Sequence, residues 1–316
     1  MSRVATPPFL SEETRIGLEA EPRELPAVWL YDDRGSQLYE EITRLPAYYL
    51  PRREAEILGK RAAYIAERTG TRTLVELGSG SATNTRLLLD ALAVAGTIER
   101  FVPLDVSEQA LRTSGQAIAA AYPGLAVEPI VGDFERDVES LLPDRGPRLV
   151  AFLGSTVGNL YPDRRTTLFS ALAGELARDE WLLIGVDLVK EAGRLEAAYN
   201  DRGGVTETFV RNALTAVNRE LGATFEQRHF VYEPRWDPVR RWMDIGIRAV
   251  VAHTVSVPRL DLEVAFEKGE RLRVEISAKF RRGQLEGELG GAGFRAESSW
   301  TDRAGDFAVV LARPDG

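Results

Sequence analysis

Residues 74–86 read LVELGSGSATNTR. An apolar run meets one carboxylate, Glu76, then Gly78 and Gly80 among small hydroxylated residues, and a helical pattern follows. Strand, glycine turn and helix in that order make a nucleotide-type site, because the glycines let a ligand approach the backbone and the helix N-terminus lies next to it. The turn is Gly78-Ser79-Gly80-Ser81-Ala82-Thr83, so it lacks the third glycine of a dinucleotide fingerprint, and no P-loop lysine follows. Glu76 would repel a polyphosphate but favour a cationic ligand. S-adenosylmethionine carries a sulfonium and an ammonium and no phosphate, so it suits this turn better than a dinucleotide does.

Outward from the turn, strand and helix signals alternate. TLVELGS is followed by a helix from about Thr83 to Ala95, then RFVPLDVS, a helix through SEQALRTSGQAIAAAYP, AVEPIVGD, a short helical segment, RLVAFLGS, a helix near RRTTLFSALAGELA, and WLLIGVDLV. Five strands separated by helices predict an α/β fold with a parallel sheet covered on both faces. Upstream, residues 36–70 carry apolar residues at helical spacing, with Pro46 and Pro51 bracketing a loop that holds Tyr48 and Tyr49. Downstream the alternation stops. Residues 190–221 read as helical and 228–280 as strands, with LDLEVAF and ERLRVEISAKF forming a hairpin pattern around a turn at 267–269. A helix at 281–290 and two strands, FRAESSWTD and DFAVVLAR, spaced for an antiparallel pair, then complete the doubly wound pattern. The expected division is therefore a cofactor domain over 1–189 and 281–316 and an inserted α+β substrate domain over 190–280.

The 316 residues are 44% hydrophobic and 28% charged, which excludes a largely disordered chain. A net charge of −8 opposes binding to a phosphate backbone, so nucleic acid is not an expected partner. Cysteine is absent, and His229 and His253 lack metal spacing, so no metal site is expected. No apolar stretch approaches the roughly 20 residues of a membrane helix and no signal-peptide core is visible, which makes a cytoplasmic protein without membrane contact the expectation.

The strand ends supply the chemistry. The second ends at Asp105, where a carboxylate takes ribose hydroxyls, and the third ends in Gly132-Asp133-Phe134, an acid with an aromatic neighbour suited to flank adenine. Either acid alone fits a helix cap equally well. The fourth runs into Phe152-Leu153-Gly154-Ser155-Thr156-Val157-Gly158-Asn159. The side-chain oxygen of an Asn accepts a hydrogen bond from an amine and so aims its lone pair at a transferable methyl; a capping or turn role for Asn159 fits the local sequence as well. In RLRVEISAKF, Glu275 and Ser277 share one strand face while Leu272, Val274 and Ile276 take the other. A carboxylate and a hydroxyl suit a ring with two nitrogens, although a solvated polar face is the commoner reading of such a strand.

With these residues the chain resembles the histidine-specific methyltransferase family of ergothioneine biosynthesis, which converts L-histidine to N-alpha-trimethylhistidine. The likeness runs through VWLYDDRGSQLYEEITRLPAYYLPRREAEIL, LVELGSGSATNTRLLLDAL, FVPLDVS, GDFE, FLGSTVGNL, GVDLVK, AAYND and VEISAKF. It implies a class I methyltransferase, Rossmann-like sheet with an inserted domain, S-adenosyl-L-methionine as cofactor with S-adenosyl-L-homocysteine as product, and a monomer. By the same resemblance Gly78, Asn84, Asp105, Asp133 and Phe134 hold the cofactor, and Gly154, Ser155 and Thr156 line its methionine end. Asn159 and Tyr199, with Tyr31 nearby, hold the amino and carboxylate groups of the substrate; Tyr48 closes over it; Glu275 and Ser277 bond the imidazole. Asn159 and Tyr31 are the candidate catalytic residues.

Two positions depart from the family. Asn84 stands where its cofactor loop carries a lysine, and Ile245-Gly246 stand where histidine-specific members have Met-Trp. The second change is expected to enlarge the pocket toward tryptophan or tyrosine, while Glu275 and Ser277 favour histidine, because an unpaired buried carboxylate penalises a purely aromatic ring. Methylation of another aromatic amino acid is thus the nearest alternative; a dinucleotide-dependent oxidoreductase and a non-catalytic nucleoside binder are the readings of other classes.

Overall fold

The computed structural model describes residues 8–144 and 146–315. The chain divides into two compact units, one formed by Met1–Tyr48 with Glu191–Ser277 and the other by Tyr49–Lys190 with Ala278–Gly316.

The second of these units is built on an eight-stranded sheet. Its strands are β1 (Thr73–Leu77), β2 (Arg100–Asp105), β3 (Ala126–Val127), β4 (Ile130–Val131), β5 (Arg148–Phe152), β6 (Trp181–Asp187), β7 (Phe294–Thr301) and β8 (Phe307–Pro314). The order is β7-β8-β6-β5-β1-β2-β3, with β4 also on β2. β1 to β6 run parallel, and β8 enters antiparallel between β6 and β7. β1, β5 and β6 are buried along their whole length, which is why they read as continuous apolar runs. The expected third strand is split into β3 and β4 around Pro129, which has no N–H to give to a ladder. Helix Leu50–Thr69 buries Leu50, Ile57, Leu58, Ala62, Ile65 and Ala66 at helical spacing and stops at left-handed Gly70, whose N–H returns to Ala66 O. Pro51 lies inside the first turn of this helix and does not close a loop, since a first-turn N–H needs no intrahelical acceptor.

In the other unit, Arg23–Glu24, Arg271–Ala278, Trp242–Ala249 and Phe230–Tyr232 form a sheet in that order, with Arg235–Asp237 also on Trp242–Ala249. Helices Asp33–Thr43, Ala192–Tyr199 and Val205–Leu221 belong to the same unit. Two expectations are corrected here. The described residues 8–48 group with this unit, where the sequence reading placed them in the cofactor domain. Arg23 and Glu24 pair in parallel with Leu272 and Arg273, and Asp32 accepts hydrogen bonds from Asn212 (2.6 Å) and Arg219 (2.9 Å) on helix Val205–Leu221. The hairpin also changes partners: Leu262–Phe266 pairs antiparallel with His253–Val257, while Arg271–Ala278 lies between Arg23–Glu24 and Trp242–Ala249. The turn Pro258–Leu260, closed by left-handed Asp261, sets Val255 opposite Val264 and buries both.

Candidate active site

The cofactor candidates all lie in the sheet unit. Gly78 follows β1 at φ +67°, and its N–H and that of Ser79 donate to Leu104 O at 2.9 and 3.1 Å, tying the turn to the end of β2. A Cβ on Gly78 would stand 3.2 Å from Thr156 Cγ2 and 3.6 Å from Phe134 Cε1, so residues from three strand ends converge on this glycine. Asp105 accepts from Gly80 N and Ser107 N, both at 2.9 Å; burial raises its pKa while these backbone bonds oppose the rise. Asp133 caps helix Phe134–Leu141 by accepting from Glu135 N, and Phe134 meets Phe152 edge-on with centroids 5.0 Å apart. Gly154 and Ser155 are consecutive left-handed residues after β5. Ser155 Oγ accepts from Asp187 N at 3.0 Å, Thr156 Oγ1 donates to Leu153 O at 2.9 Å, and the following 3-10 turn ends at half-buried Asn159.

Two buried carboxylates accompany the glycine turn. Glu76 accepts from Thr85 Oγ1 at 2.5 Å; its other oxygen has no partner among the described residues, and burial lifts its pKa to about 8 against that bond. Asn84 donates to Pro51 O at 3.0 Å and to Glu54 at 2.7 Å. Glu54 escaped the sequence reading, because a glutamate on an amphipathic helix looks like a solvated residue.

A second group was also missed, although GVDLVK and VEISAKF contain most of it. Asp187, fully buried, accepts from Tyr49 Oη (2.8 Å), Lys190 Nζ (2.5 Å) and Lys279 Nζ (2.9 Å). Burial lowers the Lys190 pKa, and Asp187 opposes the fall. Through its own N–H the same aspartate fixes Ser155.

The substrate candidates Tyr31, Tyr48, Tyr199, Glu275 and Ser277 come together in the other unit. Tyr31 Oη donates to Glu275 Oε1 at 2.9 Å, and the Tyr199 and Ser277 hydroxyls are 2.8 Å apart. The pairing differs from the expected grouping of Tyr31 with Tyr199 and of Glu275 with Ser277. Tyr48 meets Tyr199 edge-on at 5.8 Å, Tyr39 joins Tyr31 (5.9 Å) and Tyr48 (6.4 Å), and Phe209 closes the group against Tyr31 at 5.6 Å. Tyr39 and Phe209 carried no sequence signal beyond helical periodicity. Tyr232 Oη donates to Tyr199 O at 2.5 Å. Burial pushes the Tyr48 and Tyr232 phenols well above their ordinary range, and for Tyr232 Glu275 adds to the effect. Asn159, grouped with these residues from sequence, belongs to the sheet unit.

The expected enlargement at Ile245-Gly246 is not found locally. Ile245 is buried in line with Met243 and Ile247 on the core face of its strand. A Cβ on Gly246 would lie 2.7 Å from Leu272 O and 3.2 Å from Arg271 Nη2, so backbone and guanidinium already hold that volume. His229 and His253 lie 4.7 Å apart by ring centroid, in an aromatic cluster with Phe230 and Phe266. Among the described residues no helix is long and apolar enough to cross a membrane.

The sheet order, the single reversed strand next to β6, the glycine turn after β1 and the acid at the end of β2 define a class I S-adenosylmethionine-dependent methyltransferase. An S-adenosylmethionine-dependent methyltransferase from Clostridium acetobutylicum shares the fold, with TM-score 0.50 at 12% identity over 90% of this chain and 99% of that one. Residues 10–314 match the family model of histidine-specific, S-adenosylmethionine-dependent methyltransferases, and the chain belongs to that family. It is 47% identical to the histidine N-alpha-methyltransferase of Mycolicibacterium smegmatis over 96% of this chain and 94% of that protein. It is 30% identical to ergothioneine biosynthesis protein 1 of Neurospora crassa over 89% of this chain and 32% of that longer protein. The cofactor fits the residues present: Gly78 leaves a cradle that a Cβ would fill, and Glu76 beside it keeps one buried oxygen without a partner among the described residues.

Proposed function

We propose that this protein methylates the alpha-amino nitrogen of free L-histidine three times, giving N-alpha-trimethylhistidine (hercynine) for ergothioneine biosynthesis. The observation that carries the reading is the pair Glu275 and Ser277, on one strand face, each bonded to a tyrosine in an aromatic surround. The relatives named above support it. S-adenosylmethionine supplies an electrophilic methyl group on a sulfonium.

In this reading Asp105 takes the ribose hydroxyls, Asp133 and Phe134 the adenine, and Gly154 to Thr156 the methionine end, with Gly78 and Asn84 shaping the turn. Glu275 accepts the imidazole N–H and Ser277 bonds the second ring nitrogen or its proton. Tyr199 and Asn159 hold the amino acid's polar end. The side-chain oxygen of Asn159 accepts from the amine so that the lone pair faces the methyl, the alignment that an in-line displacement requires. Methyl transfer needs a neutral amine, so the substrate ammonium first gives up a proton, which Tyr31 Oη passes on to water while Glu275, the acceptor of its hydrogen bond, orients the phenol. The buried Tyr48 phenol remains protonated at neutral pH and acts as a donor.

Calorimetric titration of free amino acids into protein saturated with S-adenosylhomocysteine, followed by mass-spectrometric turnover, tests the assignment. Selective histidine binding and products heavier by one, two and three methyl groups are expected. Preference for tryptophan or tyrosine would leave the methyltransferase class intact and overturn the roles given to Glu275 and Ser277.

A further inference from the structure

Glu54 is only 1% exposed, yet both its carboxylate oxygens are used: Oε1 accepts from the main-chain N–H of Gly154 at 2.8 Å and Oε2 from the side-chain amide of Asn84 at 2.7 Å. Gly154 opens the loop after β5, and Asn84 precedes helix Thr85–Ala95, which follows the Gly78 turn. The acid therefore joins two loops that leave neighbouring strands of the sheet. The sheet makes room for it. A Cβ on Gly185, in the middle of β6, would stand 2.2 Å from Glu54 Oε1 and 2.9 Å from Phe307 Cε1, so only glycine admits the carboxylate there. Among the described residues its partners are two uncharged donors, and burial raises its pKa to about 7 against them. A buried acid kept at that cost, with a strand residue cut back to accommodate it, is more than a packing choice.

We propose that Glu54 is a positioning residue of the cofactor site, clasping the Gly154 loop to the helix start at Asn84 so that both present their groups to S-adenosylmethionine together. The proposal rests on the cofactor placement given above. Asn84 completes the clasp because Nδ2 donates to both Glu54 and Pro51 O, which fixes the amide's orientation.

Glu54→Gln substitutes an NH2 for one acceptor. That NH2 then faces the donor of Gly154 or of Asn84, and Asn84 cannot turn over to receive it without setting Oδ1 against Pro51 O. Titration calorimetry with S-adenosylmethionine and S-adenosylhomocysteine, alongside histidine KM at saturating cofactor, reads the effect. At pH 8, above the Glu54 pKa of about 7, we expect Glu54→Gln to raise both cofactor dissociation constants about tenfold or more, since it removes a charge-assisted acceptor from a buried donor, and to leave histidine KM within about twofold. A folded Glu54→Gln protein with wild-type cofactor affinity, or one whose loss falls equally on histidine, would overturn the clasp. Should Glu54→Gln not fold, Glu54→Asp decides by the same split, because it retains the charge but is too short to reach both loops. Asp105→Asn, measured in parallel, tests the cofactor placement separately.

Discussion

Gly78→Ala separates the strain of a turn from the shape of a ligand cradle. At φ +67° an alanine enters the left-handed region, which costs roughly 1–2 kcal/mol. The new methyl would also press on Thr156 Cγ2 at 3.2 Å, a contact that a few tenths of an ångström of side-chain movement relieves. The cofactor-free protein should thus lose about 1–2 kcal/mol, or about 2–8 °C in Tm for a unit of this size. Gly70→Ala supplies the comparison: its φ is +55° and nothing lies within 4 Å of the added Cβ, so it carries backbone strain alone. If Gly78, Phe134 and Thr156 form the wall against which the cofactor rests, Gly78→Ala loses at least about tenfold in S-adenosylmethionine affinity, a cost of about 1.4 kcal/mol. Gly70→Ala should lose none. Calorimetric titration and thermal melts of the two variants give all four numbers. Equal Tm losses with cofactor affinity unchanged in both would show the turn to be structural only and would refute the cradle.

Glu275→Gln retains an acceptor for Tyr31 but removes the charge, so histidine KM should rise about 10- to 100-fold while the S-adenosylmethionine dissociation constant stays within about twofold; a loss in cofactor binding instead would contradict the role of Glu275. Burial raises the pKa of Glu54 from 4.5 to about 7 and that of Glu76 from 4.5 to about 8, so the folded state holds these protons more tightly than the unfolded chain does. The stability this lends is complete below the unfolded pKa and disappears as pH rises through about 7 to 8, on the order of 3 kcal/mol for Glu54. Urea denaturation of cofactor-free protein between pH 5.5 and 8.5 should show a decline that Glu76→Gln reduces; equal slopes in wild type and variant would rule the linkage out. Gly246→Trp should cost more than about 3 kcal/mol here or prevent folding, because its Cβ meets a sheet carbonyl at 2.7 Å. A stable Gly246→Trp protein, measured by denaturant titration, would mean that Arg271 and the neighbouring strand give way more easily than the packing implies.

What the sequence made legible and what it hid divide along a physical line. β1, β5 and β6 are buried on both faces and appear as apolar runs, and the glycine turn is a local device whose φ values only a few residues accept. Asp105 was likewise visible because its place at a strand end follows from the strand itself. Arg23 and Glu24 carry no apolar signal, and their strand exists only because Leu272 and Arg273 lie beside it, so no local pattern ties this N-terminal segment to the unit it joins. The strands around 262 and 272 alternate alike, so either could complete the other's hairpin; the turn at 258–261 decides the pairing. Glu54, Asp187 and Lys279 mark the far end of this line. Each is a charged residue in a segment of ordinary periodicity, and burial of each depends on atoms distant in sequence: the missing side chain at Gly185 and the N–H of Gly154 for Glu54, the phenol of Tyr49 for Asp187, and the carboxylate of Asp187 for Lys279. A local window encodes the cost of burying a charge but not the partners that offset it. In this chain, therefore, the polar groups at the strand ends are easier to find from sequence than the buried charges packed behind them.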